Sequence, residues 1–294
     1  MKKMLILTRF IKEYEPKRLA EEGRKLGCSV DVVKYGQVNL SVTDGKAEID
    51  LGKGRKLADY DLIIPRSASK KGGSMVSIKT AILQAVNLSK AKVVNGKSFL
   101  KYPLLGKIEQ GLALARAGLP TIPFITFGSK KGWRFFLKTD LQFPYIVKGR
   151  FGSHGRTVKL INTKGELERL IKHYSADNVL IQPVMPVKQW YRCLVCGGKY
   201  LGEMKHRQKQ KYQIPNTKFE TNTKYQVPNS EHMNELRKIC LAAAKLFDCD
   251  FCGLDVGWNE ETKSWVIFEV NRTAQFKYFE KRTGVNVAME ILKV

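Results

Sequence analysis

The sequence predicts an α/β protein with an open, mostly parallel sheet in its N-terminal part and antiparallel strands in its C-terminal part. Near the N-terminus, apolar strands such as 3–8 and 29–34 alternate with amphipathic helices, the order typical of a parallel sheet. From Trp190 onward, apolar strands follow one another through short turns, as at Gly197-Gly198, which predicts hairpins.

The N-terminal elements follow from apolar periodicity and from helix start and stop signals. We predict strands at 3–8, 29–34, 61–65 and 92–94, helices at 16–26 and 74–88, and a hairpin that pairs 46–51 with 55–57. Arg66 follows the end of a strand, where parallel sheets place ligand contacts. A solvated arginine at this position is the more common arrangement.

The remaining elements are read in the same way. One long helix is expected from Ser98 to Gly118, with an apolar stripe formed by Leu104, Leu105, Ile108, Leu112 and Ala115. We then predict a strand at 121–127, a basic segment at 130–138, a hairpin at 144–161, a helix at 163–174, strands at 178–183, 191–195 and 200–205, a basic irregular segment to about Pro228, a helix at 231–247, a hairpin of 251–259 with 264–271, and a short C-terminal helix.

The net charge of the chain indicates which partners it attracts. Lys and Arg number 52 against 27 Asp and Glu, and the resulting net charge of +25 favours polyanionic partners such as nucleic acid, a nucleotide or an acidic protein tail.

No apolar stretch is long enough for a membrane span and no secretory signal is present, so we expect a cytoplasmic protein. The two CxxC pairs are too far apart for a zinc ribbon and lie in apolar runs, which favours packed free cysteines.

A glycine-rich stretch, PYIVKGRFGSHGRTVKL, lies at residues 144–160. Closely spaced glycines between two strands let backbone N–H groups turn toward phosphate oxygens, and Lys148 precedes them directly. The stretch is neither a P-loop nor a dinucleotide-binding turn, because both spacings are absent. It is interpreted either as a lid over a nucleotide or as an ordinary surface hairpin.

A group of polar side chains lies in the C-terminal strands. Glu269 and Asn271 share one face of WVIFEVN, with Phe268 and Val270 on the other, and a turn near Thr262 would place Asp255 opposite Glu269. Carboxylates inside apolar strands are costly unless a cation such as Mg²⁺ neutralises them, although these side chains could also face water. Arg192 alternates with apolar residues in a strand, where its guanidinium could clamp an anion.

The order of these features resembles the ATP-grasp superfamily, and more closely the RimK-type α-L-glutamate ligases, over nearly the whole chain. The segments that carry the resemblance are KRLAEEGRKLG, YDLIIPR, VVNGKS, LARAGLP, FPYIVKGRFGSHGRTV, NVLIQP, YRCLVCGGKYLG, CGLDV, FEVN and FEKRTGVNVA. The resemblance implies an ATP-grasp fold with an N-terminal α/β domain (1–95), a central lid domain (96–181) and a C-terminal antiparallel domain with the metal site (182–294).

The resemblance also implies roles for particular residues. ATP would be held by Lys107, Lys148, Gly152, Ser153, Gly155, Gln182, Val184 and Met185. Mg²⁺, with Mn²⁺ as an alternative, would be held by Asp255, Glu269 and Asn271, and the catalytic arginines would be Arg192 and Arg207. In this family ATP phosphorylates a carboxylate and an amine then displaces the phosphate, which yields an amide.

Some positions depart from the family pattern. Pro183 stands where a glutamate is usual, Trp190 stands where an acid commonly holds the ribose, and Arg272-Thr273-Ala274-Gln275 replaces a small-Pro-Gly turn near the substrate. We infer a diverged acceptor preference.

Three functional hypotheses follow. The leading one is a ligase that adds glutamate or another amino acid to an acidic peptide or protein tail. The alternatives are a basic nucleic-acid-binding protein and an ATP-binding relative that does not ligate. A homo-oligomer is compatible with each of them.

Overall fold

The computed structural model describes residues 1–67, 76–86, 90–149, 158–173, 179–205 and 229–294. Its N-terminal part contains β1 (Lys3–Thr8), α1 (Tyr14–Lys25), β2 (Ser29–Lys34), β3 (Asn39–Thr43), β4 (Lys46–Asp50), β5 (Leu62–Pro65), α2 (Val76–Val86) and β6 (Lys92–Val93). Strands β2, β1, β5 and β6 form, in that order, a four-stranded parallel sheet. The α/β fold class predicted for this part is confirmed.

The hairpin of β3 and β4 differs from the prediction. Residues 46–50 pair with the strand before them, not with 55–57, where a single bridge joins Asp50 to Lys56. Asp44 and Gly45 form the turn with φ values of 51° and 73°. An Asp-Gly pair at positive φ is the preferred two-residue hairpin turn, so this local signal outweighs the glycines of 52–54.

Two helices replace the single one predicted from Ser98, namely α3 (Gly96–Lys101) and α4 (Lys107–Arg116). Pro103 lies between them, and proline cannot donate the hydrogen bond that a continuous helix requires. The predicted stripe is wrong at Leu104 and Leu112, which are 46% and 56% exposed, whereas Leu105 does pack against the apolar cluster of the C-terminal sheet. The buried side of α4 is formed instead by Gln110, Gly111 and Leu114.

The central part forms a three-stranded antiparallel sheet beside two helices. Its elements are α5 (Lys130–Phe136), β7 (Tyr145–Gly149), β8 (Lys159–Ile161), α6 (Lys164–His173) and β9 (Val179–Pro183), with the strands ordered β8-β7-β9. The pairing of β7 with β8 confirms the predicted hairpin, whose Gly152 and Gly155 lie outside the described residues. The strand predicted at 121–127 is wrong, because only isolated bridges occur there.

The C-terminal part is built on a four-stranded antiparallel sheet. Its elements are β10 (Val187–Cys196), β11 (Lys199–Lys205), α7 (Ser230–Leu246), β12 (Phe251–Asn259), β13 (Ser264–Asn271), α8 (Lys277–Thr283) and α9 (Val287–Lys293). The strands are ordered β11-β10-β12-β13. One face packs on α7 through an apolar cluster that includes Cys193, Cys240 and Leu254.

The opposite face of this sheet joins the N-terminal part at one end. Leu194 and Phe251 share an apolar cluster with Met4 and Ile6 of β1. Arg66 is only 5% exposed and donates a 2.8 Å hydrogen bond to the Ala274 carbonyl, so it is neither solvated nor pointed at an open ligand site. The other end of the same face remains open and carries the polar side chains described below.

The sequence raised the questions of a zinc site at the cysteines and of a helix that could span a membrane. All six cysteines are free, and no group of three or more His, Cys, Asp or Glu side chains among the described residues is arranged to hold a metal ion. No helix in the described part of the chain has the length and apolar character needed to cross a bilayer.

Candidate active site

Three polar side chains lie side by side at the open end of the C-terminal sheet. Arg192 on β10 is opposite Asp255 on β12, and Asp255 is opposite Glu269 on β13. The predicted register of the last hairpin is therefore confirmed. The arrangement follows from alternation, because every second residue of an antiparallel strand points to the same face.

A β-bulge changes the position of Phe268. Asp255 pairs with Glu269 whereas Val256 pairs with Ile267, so Phe268 is an extra residue in β13. Its ring stacks on Trp190 at a centroid distance of 4.0 Å and an interplanar angle of 11°. The prediction that Phe268 shares the face of buried Val270 is wrong, because the bulge turns the ring toward the open face.

Each carboxylate of the site has a cation beside it. Asp255 accepts two hydrogen bonds from Arg192, at 2.6 Å from Nε and 2.9 Å from Nη2. Glu269 Oε1 lies 3.5 Å from Lys107 Nζ. All four side chains are partly buried, with 18–29% of each exposed, so these pairs are screened less than surface ion pairs.

Gln110 fixes the position of Lys107 relative to Glu269. Its side-chain amide accepts a 2.8 Å hydrogen bond from the Val270 N–H and donates a 3.1 Å hydrogen bond to the Val270 carbonyl. This double contact fastens α4 to β13 one residue after Glu269. Gln110 was not among the residues predicted from the sequence, although a glutamine on the buried side of a helix is a detectable signal.

Lys148 approaches the same place from β7. Burial, and then the nearby Lys107, lower the pKa of the Lys148 ammonium to about 8, while Glu269 partly opposes the change. Its Nζ lies 5.9 Å from the centroid of the Phe268 ring. A lysine with its charge only partly compensated is suited to bind an anion.

A narrow cavity connects Lys107 and Lys148 with Gln182 of β9. Gln182 is 7% exposed, and its Oε1 has no hydrogen-bond partner among the described residues. A buried acceptor of this kind is costly unless a ligand supplies a donor. Val184 and Met185 are partly buried in the loop that follows, where the Met185 carbonyl accepts a 2.7 Å hydrogen bond from the Val187 N–H.

The structure thus gathers Lys107, Lys148, Asp255 and Glu269 into one cleft, with Gln182 at its end. Asn271 lies farther along β13, and it borders a second cavity, which is also lined by Glu269. The predicted residues Gly152, Ser153, Gly155 and Arg207 lie outside the described residues. The individual roles assigned to the site residues stay predictions.

A cleft between a lysine-bearing antiparallel sheet and a carboxylate-bearing one, joined to a parallel α/β part, defines the ATP-grasp class of ligases. The family model for the RimK-like ATP-grasp domain matches residues 107–294, and the model for the RimK PreATP-grasp domain matches residues 2–98. The chain therefore belongs to the RimK-like ATP-grasp ligases.

Individual relatives agree with this assignment. A protein of Marinomonas sp. named "Probable alpha-L-glutamate ligase" is 27% identical over 297 residues, which cover 99% of this chain and 94% of that protein. The ATP-grasp ligase PsnB in complex with minimal precursor, Mg and ADP has a TM-score of 0.66 at 16% identity, covering 99% of this chain and 96% of that one. The macrocyclase MdnC of Microcystis aeruginosa, bound with precursor peptide MdnA, has a TM-score of 0.70 at 13% identity, covering 99% and 98%.

Proposed function

We propose that this chain is an ATP- and Mg²⁺-dependent carboxylate–amine ligase that adds glutamate or another amino acid to an acidic peptide or protein tail. The observation that carries the proposal is the single cleft in which Lys107 and Lys148 face Asp255 and Glu269. Two cations and two carboxylates at one place suit a triphosphate and its metal ion.

The nucleotide lies in the cleft in this proposal. Lys107 and Lys148 contact its phosphates, and the positive charge that burial makes costly for Lys148 is compensated there. Gln182 Oε1, which lacks a partner among the described residues, accepts a hydrogen bond from the base. The main chain of Val184 and Met185 borders the adenine.

The metal ligands fit Mg²⁺ by their chemistry. Asp255 and Glu269 offer carboxylate oxygens and Asn271 offers an amide oxygen, which are ligands that Mg²⁺ accepts. Arg192 donates one hydrogen bond to each oxygen of Asp255. A carboxylate oxygen can accept more than one contact, so a carboxylate paired with arginine can also serve as a metal ligand. Bound Mg²⁺ would neutralise phosphate charge during transfer.

The reaction consists of two displacements. A substrate carboxylate oxygen bonds to the γ-phosphorus of ATP and ADP leaves, giving an acyl phosphate. The nitrogen of the amine then bonds to the acyl carbon, phosphate leaves and the amine loses a proton. Arg192, held by Asp255, stabilises the transferred phosphoryl group in this scheme, because a guanidinium binds phosphate oxygens in pairs.

The substrate class is supported by the relatives and by charge. The Marinomonas relative is named a glutamate ligase, and the PsnB and MdnC structures contain precursor peptides. The net charge of +25 attracts acidic peptides or tails. These observations favour an amino acid and a peptide carboxylate as the two substrates.

A turnover assay with a matched variant tests this proposal. Purified protein should release ADP and phosphate only when ATP, Mg²⁺, a carboxylate and an amine are all supplied, and mass spectrometry should show a product joined with loss of water. Glu269→Ala should abolish turnover, whereas Glu261→Ala, at the exposed end of the same hairpin, should leave it unchanged. Full turnover by Glu269→Ala would refute the metal assignment.

The same preparations separate the alternative functions. Tight MgATP binding without product over a broad panel of acids and amines would favour a relative that does not ligate. Salt-sensitive binding to RNA or DNA, together with absent turnover, would favour a nucleic-acid-binding protein.

A further inference from the structure

A second cavity of about 160 Å³ adjoins the proposed metal site. On one side it is bordered by Glu269 and Asn271, and on the other by Lys79 of α2, a helix of the N-terminal part. Nothing proposed above uses Lys79. The cavity therefore places a cation from a helix of the N-terminal part beside Glu269 of the candidate active site.

Two cations of this cavity lie over one aromatic ring. Lys79 Nζ is 4.6 Å from the centroid of the Phe99 ring, and the Arg272 guanidinium carbon is 4.3 Å from it. Arg272 Nη1 also donates a 2.8 Å hydrogen bond to the Ser98 carbonyl, which fixes the guanidinium. The ring lowers the cost of holding two positive charges close together, but it does not neutralise them.

The charge of Lys79 lacks a compensating carboxylate among the described residues. Burial, followed by the nearby Arg272 and Arg66, lowers the pKa of the Lys79 ammonium to about 7, and no acidic side chain of the described part opposes this. Arg66, by contrast, is stabilised by Glu15 and Glu13. A half-buried cation that borders a cavity and lacks an internal anion favours an anionic ligand.

We propose that Lys79 and Arg272 form a subsite that binds a carboxylate group of the ligase substrate, next to the reacting centre. This proposal rests on the proposed function and adds to it the position of one substrate group. A carboxylate suits the subsite because a guanidinium and an ammonium both donate hydrogen bonds to it, and its charge offsets theirs. The group belongs either to the acyl donor or to the amino acid that attacks.

Calorimetric binding to the full chain, with MgADP present and at physiological salt, distinguishes these two sources. N-acetyl-triglutamate carries carboxylates without an amine and represents the donor, and L-glutamate represents the acceptor. Lys79→Met should weaken binding of at least one probe about tenfold or more, the size expected for a lost charge-assisted hydrogen bond. The affected probe identifies the group that the subsite holds.

Two further variants control for unspecific effects. Lys101→Met removes a lysine that also lies over an aromatic ring, Tyr102, but pairs with Asp248, and it should bind both probes as the wild type does. Lys79→Arg should retain most of the affinity. A merely structural role of Lys79 predicts the same probe affinities in Lys79→Met and in the wild type.

The outcomes separate the subsite from the function on which it rests. Unchanged affinity of both probes in Lys79→Met, or binding of neither probe to the wild type at millimolar concentration, overturns the subsite while MgADP binding stays intact. Failure of the wild type to bind MgADP in the same titrations refutes the proposed function as well.

Discussion

Replacing Lys148 by methionine should stabilise the nucleotide-free protein while it weakens nucleotide binding. The pKa of the Lys148 ammonium falls from 10.5 to about 8, chiefly because burial removes water from the charge. Each unit of pKa shift corresponds to about 1.4 kcal/mol, so this fall means that the charged form of Lys148 destabilises the folded protein by roughly 3 kcal/mol. Methionine keeps the apolar stem, so we expect Lys148→Met to raise the free energy of unfolding by about 2–3 kcal/mol at pH 7.

The pH dependence of the unfolding free energy tests a second time whether the Lys148 charge destabilises the protein. Below pH 8 Lys148 is charged in both the folded and the unfolded state, and the wild type carries the full cost. Between pH 8 and 10.5 the unfolded state binds more protons, so the stability of the wild type rises toward that of the variant. Urea denaturation at several pH values measures the difference in unfolding free energy between the wild type and Lys148→Met, which should become smaller as the pH rises. Lys172→Met, at an exposed position of α6, is the control and should show no such trend.

MgADP should narrow the difference in unfolding free energy between the two proteins, because a 10- to 100-fold difference in affinity corresponds to about 1.4–2.7 kcal/mol at saturation. MgADP stabilises whichever protein binds it, by an amount set by its concentration relative to the dissociation constant. Loss of a charge-assisted contact to phosphate should weaken MgADP about 10- to 100-fold in Lys148→Met. A variant that is less stable than the wild type without nucleotide, and that binds MgADP equally well, would show that the ammonium neither resides in a desolvated site nor meets phosphate.

Two further predictions concern the carboxylate-bearing sheet. Arg192→Lys keeps the charge but loses the two parallel hydrogen bonds to Asp255, so turnover should fall about tenfold or more while MgADP binding changes little; unchanged turnover would contradict a role for the guanidinium. Gly257→Ala would drive a methyl group into the Phe268 ring and the Val187 side chain, and should cost about 1–3 kcal/mol in urea denaturation. Gly128→Ala, which meets open space, is its control, and equal losses in both would refute the steric argument.

The sequence was sufficient to predict the part of the site that depends on strand alternation. Asp255 and Glu269 face each other because a short turn sets the register of their hairpin, and alternation with a period of two then fixes which side chains share a face. Lys148 was predictable for a similar reason, since it lies at the end of a strand next to the first glycine, Gly149, of a glycine-rich segment. In each case the pattern lies within a few residues of the chain.

The features that were not predicted depend on contacts between distant segments. The bulge at Phe268 has no local glycine signal, and it is accommodated by stacking on Trp190, which lies on another strand. Gln110 meets Val270 across 160 residues. The sequence contains one local sign that Lys79 is unusual, because it is the only charged residue of α2. The cavity that Lys79 borders is completed by residues of β13, which are distant in the chain.

The pairing of each carboxylate with a cation explains how the cleft stays folded before any ligand binds. Asp255 and Glu269 would destabilise each other as adjacent unpaired anions, and Arg192 and Lys107 remove that cost. The two pairs differ in geometry, since the Arg192 pair has two short hydrogen bonds whereas Lys107 lies 3.5 Å from Glu269. Lys107 would therefore leave its carboxylate more readily than Arg192 if the proposed metal ion were bound by Glu269. Because Lys107 starts the helix that Gln110 fastens to β13, its ammonium would remain close to the carboxylates and could contact phosphate in the proposed complex.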